Sequence, residues 1–165
     1  MRQINEQWEQ EMEEEQRYWD SKSVDELVKE IEDLYDFEQA PCVLTALEEK
    51  APERAVRMGA DIIKYDRGDQ FLQAGVFDCL FRGNEQAILQ AVEERKAPVE
   101  WYLIGVMIPE LISFRRRHQQ AQASKQALEK IVRSYALSDR KEKIDQSEWR
   151  AFLDCYHLRT ENRSC

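Results

Sequence analysis

Histidine is nearly missing from this chain: only His118 and His157 occur in 165 residues. His118 follows three arginines, which disfavour a metal cation, and Cys155-Tyr156-His157 offers at most two ligands where a structural zinc site wants four. No Gly-rich phosphate loop, no G-x-S-x-G and no H-E-x-x-H is present. Carboxylates are abundant, but a catalytic pair needs burial to part its pKa values, and most of these should be solvated. The expectation is a non-enzyme, with no catalytic residues, no metal and no cofactor. Glycine (five) and proline (four) are scarce, and no Val/Ile/Thr-rich alternating segment appears, which argues against a sheet. The four cysteines, Cys42, Cys79, Cys155 and Cys165, form no C-x-x-C pair, and the opening Met-Arg-Gln-Ile-Asn-Glu lacks a signal peptide's apolar core. Free thiols in a reducing cytoplasm are expected. No apolar run reaches the roughly 20 residues of a membrane span.

What is present is charge and helix-forming side chains. Leu, Ala, Glu, Gln, Lys and Arg dominate, an all-α composition. Residues 1–49 carry 16 Asp/Glu against 4 Lys/Arg, whereas residues 114–165 carry 7 against 12. A chain with net charge −9 is not expected to bind nucleic acid through its body, because that affinity rests on neutralising phosphates. The asymmetry bears on protein partners, not on fold.

The most apolar stretch, Ala97 to Phe114, is interrupted only by Glu100, Glu110 and Ser113, the pattern of a helix enclosed by others. Pro98 suits a first helical turn, whereas Pro109 takes a donor from the Gly105 carbonyl and predicts a kink or break. Ahead of it, residues 2–20 read as a helix anchored by Trp8 and Trp19, and Ser23 with Glu26 as a capping box. Pro41 and Pro52 each open a helix. Asp69 caps the next, with Phe71, Leu72, Val76, Cys79 and Leu80 facing in, and Asn84 caps the one after. Helices from Ser124 to Leu137 and from Ser147 onward close the chain, the last as a lid.

An internal repeat runs through the middle. Val43-Leu44-Thr45-Ala46-Leu47-Glu48-Glu49-Lys50-Ala51-Pro52 lies against Ile88 to Pro98 with one residue inserted; Gly59 then falls on Gly105, Leu27 on Leu72 and Ile31 on Val76. A period of about 40–47 residues with two or three helices is that of HEAT and armadillo units, which stack because one unit cannot bury its apolar face alone. The expected fold is all-α, a short right-handed α-solenoid of about eight to nine helices. It forms a single domain over 1–165, with an N-terminal capping helix (2–20), two repeat units (23–114) and C-terminal capping helices (115–165).

Without catalytic groups, function falls to the surface. The outer side of the Pro52 helix carries Arg57, Asp61 and Tyr65, and the following loop Asp66 and Asp69. With Asp33 and Asp36 from the acidic front, these are the candidate partner-binding residues, since aromatic and charged side chains together make interface hot spots. On its repeat units the chain resembles short HEAT/armadillo-type proteins. In size, acidity and helical layout it is similar to immunity proteins of bacterial polymorphic-toxin and contact-dependent inhibition systems. That resemblance implies a cytoplasmic binder that occludes the active site of one cognate toxin, often a basic nuclease, with no membrane or direct nucleic-acid partner. A repeat adaptor holding a peptide or partner protein is the alternative.

Overall fold

The computed structural model describes residues 11, 13–33, 39–118 and 123–158, and every regular element among them is helical. Helix α1 covers residues 13–20. The others are α2 (Val24–Glu32), α3 (Ala40–Lys50), α4 (Pro52–Lys64), α5 (Gln70–Leu80), α6 (Glu85–Glu94), α7 (Trp101–Arg117), α8 (Lys125–Leu137) and α9 (Gln146–Cys155), with a 3-10 turn at Lys141–Lys143 before α9. No described helix is long and apolar enough to cross a membrane.

The helix starts follow local chemistry. Ser23 and Glu26 form the reciprocal capping box at α2. Pro41 and Pro52 occupy first-turn positions where a missing N–H costs nothing. Asp69 accepts the N–H groups of Phe71 and Leu72, at 2.9 and 2.8 Å. Ser124 and Asp145 do the same for α8 and α9. Asn84 is different. It precedes α6 without capping it by side chain; its amide instead donates to the Leu80 carbonyl and to Glu48, tying the end of α5 to α3.

Packing follows a simple alternation. Helix α3 lies against α5, α5 against α7 and α7 against α9, while α4 lies against α6 and α6 against α8. Hairpin contacts between α3 and α4 and between α4 and α5 join the two rows. The interior is aliphatic with an aromatic seam in which Phe77 stacks on Phe81 at 4.6 Å and Phe114 meets Phe81 edge-on. Trp19 is buried, as expected of an anchor; Trp8 and Asp36 lie outside the described residues. Helix α9 closes one end: Trp149 stacks on Tyr135 at 3.7 Å, and the Tyr156 hydroxyl donates to the Leu111 carbonyl at 2.7 Å. Burial pushes that hydroxyl's pKa well above the usual tyrosine value.

Three expectations change here. Pro98 does not start α7, which begins at Trp101; residues 95–100 run outside helix, and the Pro98 carbonyl accepts from Arg95 Nε at 3.1 Å. The helix also continues unbroken through Pro109, held by the buried side chains of Leu103, Ile104, Met107, Ile108, Leu111 and Ile112. Nor is α7 enclosed all round, since Tyr102 and Pro109 are exposed and Gly105 and Val106 half-buried.

Candidate protein-interaction surface

Among the residues expected to meet a partner, Arg57, Asp61 and Tyr65 follow one stripe along α4. Arg57 and Asp61 line a cleft of about 270 Å³ between α2 and α4. Its other walls are Arg54, Arg67 and Glu32, with Val28, Ile31, Met58 and Ile62 as an apolar floor. Arg54 reaches Asp25 at 3.2 Å, an exposed pair of small energetic weight. Asp33 caps the exposed C-terminal end of α2 and does not line this cleft.

Tyr65 stands at the end of α4 with 58% of its surface exposed. Lys64 Nζ lies 5.0 Å from its ring centroid and the Arg67 guanidinium 5.9 Å. Lys64 is also paired with Glu94 at 2.6 Å, which raises the lysine pKa and lowers that of the glutamate.

Asp66 and Asp69 have internal tasks. Asp69 is the cap of α5. Asp66, at φ 57°, turns its carboxylate onto Arg95, a guanidinium only 1% exposed. Arg95 also donates to the Ile63 carbonyl at 2.8 Å and to Gln73 at 2.9 Å, and Gln73 in turn donates to Asp66 and to the Arg67 carbonyl. A buried cation needs this full set of acceptors, because an unpaired one costs several kcal/mol. Lys130 Nζ donates to the carbonyls of Glu93 and Arg95, fixing the end of α6 against α8. Both carboxylates therefore hold the loop between α4 and α5 in shape, and both residues remain exposed.

The surface that sequence reasoning missed lies between α5 and α7. Phe71, assigned inward from its spacing, is 55% exposed, because α5 already buries Leu72, Ala74, Val76, Phe77 and Leu80 against its neighbours. The Phe71 ring rests on Tyr102, itself 37% exposed, with centroids 4.5 Å apart. From this pair a groove of about 440 Å³ runs past Ala74, Gly75, Gly105, Val106 and Pro109 to Asp78 and Glu110. A signal for it existed. Positions 71, 74, 75 and 78 and positions 102, 105, 106 and 109 each trace one helical stripe, at a constant offset.

At the acidic end of the groove Arg82 grips Glu110 through two hydrogen bonds, of 3.0 and 2.7 Å, and this guanidinium holds the Glu110 carboxyl below the usual glutamate range. Asp78 lies beside that pair with no hydrogen bond or ion pair of its own among the described residues. No group of three or more His, Cys, Asp or Glu among the described residues is placed to hold a metal ion. Comparison with protein-family models, with curated proteins and with solved structures finds no match to this chain.

Proposed function

We propose that this chain is a non-enzymatic immunity protein. In this reading the two alternating rows of helices are a short right-handed α-solenoid of the HEAT/armadillo kind, and its surface binds a cationic toxin domain, a nuclease, and occludes the active site. The observation that carries the reading is the unbalanced acidity of the front end. Glu11, Glu13, Glu14, Asp20, Asp25, Glu26, Glu32 and Asp33 are all exposed on α1, α2 and their flanks, against the exposed cations Arg17 and Lys29. Such a field speeds encounter with a basic partner and rejects acidic ones, while a few desolvated anchors set the lifetime of the complex.

Co-expression with the toxin encoded beside this protein tests the reading. Cells should survive, and the purified pair should associate more slowly as salt rises, since exposed charges are screened over about 8 Å at physiological ionic strength. Cell death with the full chain present at excess would overturn it. Capture of several unrelated peptides with no protection would favour an adaptor.

A further inference from the structure

We infer that the groove between α5 and α7 is the docking site for a partner segment that carries an aromatic or aliphatic side chain about two helical turns away from a lysine or arginine. The inference rests on the reading of the chain as a binder of cationic proteins, and it names the part of the surface that grips. Three independent features point to that occupant.

First, the groove opens on two exposed aromatic rings in contact with each other, Phe71 and Tyr102, with the indole of Trp101 edge-on to Tyr102 at 5.6 Å. Aromatic pairs of this kind are what apolar anchors of a partner pack against. Second, the floor is low. A Cβ added at Gly105 would meet no atom within 4 Å, and Pro109 supplies no N–H to the Gly105 carbonyl. A partner segment can therefore approach the α7 backbone closely at this point. Third, the charge at the far end is one-sided. Asp78 and Glu110 are the charged residues that line it; both hydrogen bonds of Arg82 go to Glu110, which also feels the charge of Arg117. The carboxylate left without an ion pair among the described residues is Asp78, about two helical turns or 10 Å from the aromatic pair. A lysine or arginine satisfies that carboxylate; an acidic segment would meet repulsion.

Gly105→Leu is the decisive variant. Nothing lies within 4 Å of a Cβ built there, so the larger side chain extends into the groove, and leucine is a better helix former than glycine, so the protein should still fold. Displayed random peptides selected on the full chain should enrich for an aromatic or aliphatic residue with Lys or Arg about seven positions away, the helical spacing that spans about 10 Å. Their binding should weaken about tenfold or more in Gly105→Leu and in Phe71→Ala, and Asp78→Lys should abolish selection for the basic residue. No enrichment, enrichment for acidic peptides, or peptides that bind Gly105→Leu as well as wild type would overturn the inference. So would a concentration-dependent self-association that Gly105→Leu abolishes, since the occupant would then be a second copy. Peptide selection is independent of toxin protection: if protection fails while peptides still bind the groove, only the immunity reading falls. If protection survives in Gly105→Leu and the peptides ignore the groove, only the docking inference falls.

Discussion

Helices α4 and α7 align on one glycine, yet its surroundings are opposite in the two. Helix α4 begins on the proline of Ala51-Pro52 and α7 begins three residues after Ala97-Pro98, and each carries a glycine at the aligned position. Gly59 in α4 is pressed against α5: a Cβ there would lie 2.2 Å from Leu80 Cδ1 and 3.1 Å from Val76 Cγ1. Gly105 in α7 faces open space. The apparent repeat spans three helices, whereas packing alternates every two, so aligned helices fall in different rows and meet different neighbours. The same residue type therefore permits close packing in one helix and leaves a surface groove in the other.

The contrast can be broken at several points, beginning where α4 is tied shut. Arg95→Met removes the guanidinium that joins the Ile63 carbonyl, Gln73 and Asp66 and should cost about 3 kcal/mol, as loss of one partner of a buried pair does. Urea unfolding of the two proteins measures it; a cost near zero would mean that the cluster is not holding the α4–α5 loop. Gly59→Val should cost about 2 kcal/mol by overpacking against Leu80. Gly105→Ala should have the reverse sign, a gain of up to about 1 kcal/mol, because only helix propensity changes. If both glycine variants move stability in the same direction, the two environments are not what separates them.

The smallest effect expected is electrostatic. The Glu110 carboxyl is held below its unfolded value mainly by hydrogen bonding to Arg82. Its contribution is therefore complete above the ordinary glutamate range and is lost as pH falls through the lowered folded value. Melting temperature followed on acidification should fall less steeply in Glu110→Gln than in wild type; identical acid limbs would show that the pair adds nothing.

How much was legible beforehand differs by element. The capping box at Ser23, the prolines opening α3 and α4, and the cap at Asp69 were readable because each acts within a few residues along the chain. The roles of Asp66 and Phe71 were not. Asp66 looks like a free surface carboxylate until Arg95, 29 positions away, is brought beneath it. Phe71 reads as core until α5 is seen to be enclosed on its other sides. Asn84 reads as a cap, yet its amide is drawn off to Glu48 across the helix row.

Composition and local signals by themselves determined that the chain would be helical, where most helices begin, and that its front end would be acidic, since propensity, capping and charge depend on neighbours in sequence. Only the tertiary structure decided which glycine is buried, which carboxylates serve the interior, and that the groove between α5 and α7 stays open. Those outcomes depend on which helix faces which, and periodicity along one helix does not contain that information.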